Sequence, residues 1–367
     1  MSIFDRITRP TLLLDRQTTV ENIALMAGKA ASQGVRFRPH FKTHQSAVIG
    51  EWFRPFGVEK ITVSSVGMAE YFARAGWQDI TIAFSCNLRE MDAIRTLAEK
   101  VHLGLLIESP ESLAALKEKL NRPADLWIKI DAGAGRTGLA WDQPEAVAAL
   151  AHAAQSSQPL HLRGLLTHAG HTYQARSNTE IIERYSTATQ RLIQMQQKLA
   201  ALGLAGLELS VGDTPGCTIS PDLGAVSEIR PGNFVFYDAT QTVITSCLPQ
   251  QVAVALACPV VAKHPDRSEV IIYGGAVHLS KDFYEHAGIR SYGLVCEPAG
   301  ERWGAPLTGA YVRGLSQEHG LVHLQPADFD RVHIGDLLCI LPSHSCLTVQ
   351  VMGSYLTLDG EEIPIYR

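Results

Sequence analysis

Between Val35 and Phe236 short apolar runs alternate with longer amphipathic ones, and this alternation sharply limits the folds open to the chain. The short runs are Val35 to His40, Lys60 to Ser65, Asp79 to Phe84, Val101 to Ile107, Leu126 to Asp131, Leu160 to Thr167, Leu207 to Val211 and Val226 to Phe236. They have strand length and are rich in β-branched and aromatic residues. Most gaps between them hold alanine- and leucine-rich runs at helical spacing, such as Glu111 to Leu120 and Glu180 to Leu202. The link after the seventh run is short and carries Pro and Gly. Eight strands separated mostly by helices are the pattern of an α/β chain closing into a (β/α)8 TIM barrel. A short apolar strand from Thr11 and a helix over Thr18 to Ala31 precede the barrel pattern.

After about Thr240 the texture changes. Short β-like stretches appear at Val252 to Ala257, Glu269 to Ile272, Gly309 to Arg313, Leu321 to Leu324, Asp336 to Leu341 and Thr348 to Met352. Gly, Pro and Asp punctuate them, and no long helical run intervenes, which predicts a C-terminal all-β domain. The expected division is a barrel over 16–245 and a β domain over 246–367, joined by residues 1–15.

Composition removes several classes of function. Of 367 residues, 46% are hydrophobic and 19% charged, as in soluble globular proteins. A formal net charge of −5 gives no basic surface for nucleic acid. No apolar run is long enough to span a bilayer, and the segment from Met1 to Arg6 does not read as a signal peptide. Seven scattered cysteines, an odd number, point to reduced thiols and a cytoplasmic protein.

The first barrel run ends in Arg38-Pro39-His40-Phe41-Lys42-Thr43-His44, just before a helical run from about Gln45 to Phe56. A lysine at the carboxyl end of a barrel strand points into the mouth, where active sites lie. If partly desolvated, its amine can lose a proton and form a Schiff base with an aldehyde cofactor. The segment resembles the cofactor-lysine segment of the D-threonine aldolase and D-serine dehydratase family, pyridoxal 5′-phosphate enzymes with an alanine-racemase-like fold. The resemblance runs from Pro10 to the Thr348 region and implies that Lys42 carries the cofactor.

Three further motifs lie at strand ends. Asp131-Ala132-Gly133-Ala134-Gly135-Arg136-Thr137-Gly138 is a glycine-rich loop, open to an ordinary βα turn or a ligand loop. The resemblance implies that Arg136 meets the cofactor's phenolic oxygen. His168, His171 and Tyr173 cluster after the sixth strand. By resemblance His168 lies against the pyridine ring, while His171 and Tyr173 face the cofactor's edge or the substrate. The loops holding Gly212 and Thr214, and Arg230, Gly232 and Asn233, follow the last two strands, where barrels often bind phosphate. The family's corresponding segments surround the phosphate, and its racemase branch places an arginine equivalent to Arg230 near the pyridine nitrogen.

In the β domain, His344 and Cys346 are two apart, so a strand would aim both at one ion. Imidazole with thiolate suits zinc. The resembling dehydratases carry His-x-Cys and bind zinc, whereas the aldolases carry a His-x-Asp type of pair. Leu347 stands where the dehydratases have proline. Ser316 to Gly320 also resembles the family and reads equally as a polar turn. The resemblance thus implies a lyase acting on D-3-hydroxy amino acids, with a D-serine or D-threo-3-hydroxyaspartate dehydratase preferred. Retro-aldol cleavage, with His171 as base, is the alternative; a racemase or a non-catalytic carrier is less expected. A homodimer is implied by the same resemblance.

Overall fold

The computed structural model describes residues 2–367, which form two compact units. One runs from Ala24 to Gly232; the other joins the chain up to Ile23 with Asn233–Arg367.

The first unit is the barrel that the alternation predicts. Its parallel strands are Arg36–Phe37, Lys60–Val63, Asp79–Ser85, His102–Ile107, Ala124–Asp131, Leu160–His168, Glu208–Gly212 and Glu228–Ile229. From Lys60–Val63 onward each pairs with the next, and the last pairs with the first through Glu228 and Arg36. The ring closes where the Phe41 N–H donates to the Thr62 carbonyl at 2.8 Å and the Thr62 N–H to that of Pro39 at 2.9 Å. Serines start several of the helices that follow strands: Ser65, Ser109 and Ser177 accept the N–H groups of Met68, Ser112 and Glu180. The helix Asn178–Ala201 buries Ile181, Tyr185, Ala188, Leu192, Met195 and Leu199, one face at alternating spacings of four and three.

Inside the barrel, Leu106, Trp127 and Leu166 form an apolar plug with Ala83 against it. Ion pairs gather around the strands' amino-terminal halves. Arg38 bridges Glu228 at 3.0 Å and Asp79 at 2.5 Å, Lys60 reaches Asp79 at 2.9 Å, and Arg36 and Arg163 both pair with Glu208.

The second unit is built on one largely antiparallel sheet. Its order is Glu269–Tyr273, His319–His323, Tyr311–Leu315, Gly293–Cys296, Leu337–Pro342, Val254–His264, Thr11–Leu14, Ser354–Thr357 and Glu362–Pro364. Thr11–Leu14 pairs antiparallel with Val254–Ala257 and parallel with Leu356–Thr357.

Several expectations are corrected. The run expected as a strand over Thr348 to Met352 belongs to a helix, Ser345–Met352. The eighth barrel strand is only Glu228–Ile229, because Pro231 and Gly232 break it before the 3-10 turn Asn233–Val235. Pro55 splits the helical run after Lys42 into Ala47–Glu51 and a 3-10 turn at Arg54–Phe56. By compactness the two units meet in sequence at 23/24 and 232/233. The Asn22 side chain donates to the carbonyls of Val235 and Gln251, tying the start of helix Arg16–Ser32 to the second unit. No described helix is long and apolar enough to cross a membrane.

Candidate active site

With all barrel strands parallel, their carboxyl ends share one rim. Lys42 sits there, half-buried, in the turn after the first strand. Its neighbours fix that turn. Phe41 is buried against Phe53, Phe72 and Trp77, with ring centroids 4.9 to 5.0 Å away, and the His44 ring lies 4.4 Å from Phe41. The His40 N–H donates to the Pro231 carbonyl at 2.9 Å. A Cβ on Gly232 would come within 3.0 Å of His40 and 3.1 Å of the Thr43 hydroxyl. Gly232 therefore lets the last loop pack onto the lysine turn. Gly212 has a similar role, since a Cβ there would lie 2.9 Å from the Arg230 carbonyl.

His168 ends the sixth strand and its Nδ1 meets the Gly212 carbonyl. A carbonyl only accepts, so Nδ1 carries the hydrogen and Nε2 keeps its lone pair. Burial, with the charges of Lys42, Lys129, Arg136 and Arg230, holds the His168 imidazole well below its usual value. His40 is depressed likewise, by burial and then by Lys42 and Arg230. His171 lies in the 3-10 turn Gly170–Gln174, and its carbonyl accepts from Arg184. Its buried Nδ1 has no hydrogen-bond partner among the described residues. Burial and Arg184 lower its pKa, leaving a neutral imidazole. Tyr173 receives the Thr214 N–H on its hydroxyl at 3.3 Å.

The glycine-rich loop folds around Asp131, whose carboxylate accepts from the N–H groups of Gly133, Ala134 and Gly135 at 2.9 to 3.1 Å. Arg191 donates to the Ala132 carbonyl at 2.9 Å. Arg136 projects exposed from this loop. Arg230 is buried, with Nε on the Ser210 hydroxyl at 2.6 Å and Nη2 on the Thr167 carbonyl at 2.6 Å.

Lys129 was not among the sequence candidates. It lies buried on the fifth strand, and burial followed by Arg230 and Arg136 pushes its pKa down to about 7. The signal was available: Trp127, Lys129 and Asp131 alternate on one strand face, and Trp127 is in the barrel plug. The rim thus gathers Lys42, Lys129, Arg136 and Arg230, while the Asp131 carboxylate is occupied by backbone amides. Cationic side chains, with the Tyr173 hydroxyl beside them, form a donor set suited to a phosphorylated, anionic ring. Pyridoxal 5′-phosphate fits these residues.

In the second unit, His344 and Cys346 do not share a strand. Leu337–Pro342 ends first, His344 is the N-cap of helix Ser345–Met352, and Cys346 sits in its first turn. The two side chains still meet, because the turn folds the sulfur back onto the imidazole. Burial opposes charge on that ring, but Cys346 and Asp282 outweigh it and raise its pKa. His344 Nδ1 is 2.7 Å from Asp282 Oδ2. The Asn233 side chain, read from sequence as part of the phosphate site, donates to Asp238 at 2.7 Å and to the Ser345 hydroxyl at 2.9 Å. Its Nδ2 lies 3.9 Å from Cys346 Sγ. Among the described residues no group of three or more His, Cys, Asp or Glu side chains is arranged to hold a metal. Imidazole nitrogen and thiolate sulfur are donors whose chemistry suits zinc, and His344 and Cys346 would hold it. Ser316 to Gly320 spans the tight turn between neighbouring strands, closed by the Ser316 N–H on the His319 carbonyl at 2.8 Å.

Comparison with known proteins places this geometry in context. Residues 14–240 match the family model for the alanine racemase N-terminal domain, and residues 253–358 match a putative serine dehydratase domain. D-threo-3-hydroxyaspartate dehydratase of Delftia sp. HT23 is 29% identical, covering 96% of this chain and 94% of that protein. Its solved structure matches with a TM-score of 0.91 over 100% of this chain and 99% of that one, at 28% identity. A cysteine-to-alanine variant of the same dehydratase, in the metal-free form, matches with a TM-score of 0.90 at 28% identity, over 100% of this chain and 99% of that one. D-serine dehydratase of Dictyostelium discoideum is 26% identical, over 97% of this chain and 95% of that protein. D-threonine aldolase of an Arthrobacter species is 25% identical, over 92% and 86% respectively.

Proposed function

We propose a function from the premise that this chain belongs to the alanine racemase N-terminal domain family: it is a pyridoxal phosphate-dependent lyase acting on D-3-hydroxy amino acids. The favoured reaction removes water and yields a 2-oxo acid and ammonia, as the names of the hydroxyaspartate and serine dehydratases suggest. The observation that carries this reading is Lys42, half-buried at the rim beside two imidazoles that burial and nearby cations keep neutral.

When bound, pyridoxal phosphate supplies an electron-withdrawing ring that acidifies Cα, and a divalent ion on His344 and Cys346 supplies Lewis acidity for a departing hydroxide. Lys42 would hold the cofactor covalently and, once released, take the proton from Cα. The neutral ring of His168, fixed by the Gly212 carbonyl, would stack on the cofactor. Tyr173, Thr214 and the backbone at Gly212, Gly232 and Asn233 would hold the phosphate, and Arg136 the phenolic oxygen. Arg230 would stand at the pyridine nitrogen. A sulfur ligand supports zinc over manganese or magnesium, and the metal-free cysteine variant of the dehydratase supports metal dependence. The family resemblance supports a homodimer, and the seven free cysteines agree with a reducing cytoplasm.

The aldolase relative supports one alternative, in which His171 takes the hydroxyl proton and the Cα–Cβ bond breaks. Product analysis with D-serine, D-threonine and D-threo-3-hydroxyaspartate separates the two. Ammonia with a 2-oxo acid is expected; glycine with an aldehyde would move the assignment to cleavage. Borohydride reduction and peptide mapping should place the cofactor label on Lys42, and a label on another lysine sinks the site assignment.

A further inference from the structure

We propose that Asp282 is a positioning residue for the metal pair, setting which imidazole nitrogen of His344 is presented to the ion. The inference rests on the metal-pair reading above.

His344 Nδ1 stands 2.7 Å from Asp282 Oδ2. An ionised carboxylate only accepts, so Nδ1 carries the hydrogen. The ring then offers Nε2 as its donor atom, with its orientation held by the carboxylate. Partners of this kind fix tautomer and ring angle in histidine–metal sites and raise ligand basicity.

The loop bearing Asp282 is built to hold this contact. It leaves the short helix Ala276–Leu279 through Ser280, whose φ of +68° and ψ of −177° lie in a region used almost only by glycine. Such a conformation persists only where its surroundings enforce it. Two hydrogen bonds do so. The Ser280 hydroxyl accepts the Asp282 N–H at 3.2 Å, and the Thr348 hydroxyl donates to the Leu279 carbonyl at 3.1 Å. Thr348 is on the helix that carries Cys346, so the same helix anchors the sulfur and the strained loop.

The other nearby carboxylate cannot substitute. Asp238 accepts from the Gln241 N–H at 3.0 Å, the Asn233 amide at 2.7 Å and the Ser345 N–H at 3.2 Å. Its acceptor positions therefore brace the turn, whereas Asp282 lies on the imidazole itself.

The test is zinc affinity of the full-length, cofactor-loaded protein, measured by competition with a chromophoric chelator. Asp282→Ala should weaken zinc by roughly 10- to 100-fold, the usual range for loss of such a partner. The visible cofactor band should be unchanged. Asp282→Asn should recover part of the affinity, because its amide oxygen still accepts the Nδ1 hydrogen. Unchanged affinity in Asp282→Ala, or equal losses in both variants, overturns the orienting role while leaving the metal pair standing. Failure of the unaltered protein to bind zinc overturns the metal pair and this inference together.

Discussion

Arg230 donates through Nε to the Ser210 hydroxyl at 2.6 Å, and that hydroxyl donates to Glu228 Oε1 at 2.7 Å. A hydroxyl has one hydrogen and two lone pairs, so it can do both at once. The other Glu228 oxygen takes Arg38 Nε at 3.0 Å. A buried relay therefore runs from Arg38, just past the first strand, to Arg230 at the rim. Ser210→Ala leaves groups of Arg230 and Glu228 without this partner. It should lower stability by about 1–3 kcal/mol, the cost of an unsatisfied buried polar group. Denaturant midpoints would measure this, and an unchanged midpoint would mean the relay contributes nothing to stability.

The same relay fixes the sign of a pH effect. Burial pushes the Glu228 carboxyl up, but Arg38 and the Ser210 hydrogen bond outweigh it, so the native pKa lies below the ordinary 4.5. Asp79 is lowered below its ordinary 3.8, burial being outweighed by Arg38 and Lys60. Both groups bind protons more readily when unfolded. Their stabilisation is fully present above their unfolded pKa values and is lost as pH falls through the native ones. Glu228→Gln should thus be less stable at neutral pH and show a flatter acid limb in a plot of Tm against pH. A parallel curve displaced uniformly to lower Tm would count against the linkage.

The contrast between Lys42 and Asp282 shows what the sequence disclosed. Lys42 was legible because it follows a strand within a periodic pattern, and the parallel barrel places the turns after its strands on one rim. Alternation along Trp127, Lys129 and Asp131 carried the buried lysine in the same way, though only the plug at Trp127 makes that visible. Helix Ser345–Met352 was not legible. Its Thr-Val-Gln-Val-Met run has β-forming residues, and tertiary bonds at Ser345 and Thr348 override that preference. Asp282 was invisible because its partner is 62 residues away, with nothing local to join them. Gly293–Cys296, a four-residue strand in the middle of the sheet, was too short to register as a pattern.

Gly133 offers a test of the loop that presents Arg136. Its φ is +121°, and a Cβ would lie 2.6 Å from Arg191 Nη1. Gly133→Ala meets both an unfavourable backbone conformation and a guanidinium already bonded to Ala132. A destabilisation of more than about 1 kcal/mol is expected, with weaker retention of the cofactor on dialysis. Full cofactor retention would show that the loop's shape is not needed to hold the ring.

On the proposed reading, Cys346 sets which metal is held. The other buried thiols, Cys217, Cys247, Cys258, Cys296 and Cys339, are pushed up by burial and remain protonated, as inert core residues. Cys346 differs, being only partly buried and in contact with the His344 imidazole. Thiolate with imidazole selects zinc, whereas carboxylate with imidazole suits harder ions. Cys346→Ala should therefore lose zinc and ammonia release together while the visible cofactor band survives. Cys346→Asp exchanges sulfur for oxygen at the same turn of the helix. It should bind zinc more weakly and shift the metal response toward manganese or magnesium, read as metal content after dialysis against equimolar ions. If Cys346 were only a small apolar residue, the alanine variant would keep its zinc and its activity, and the hydroxide-leaving reaction would need another acid.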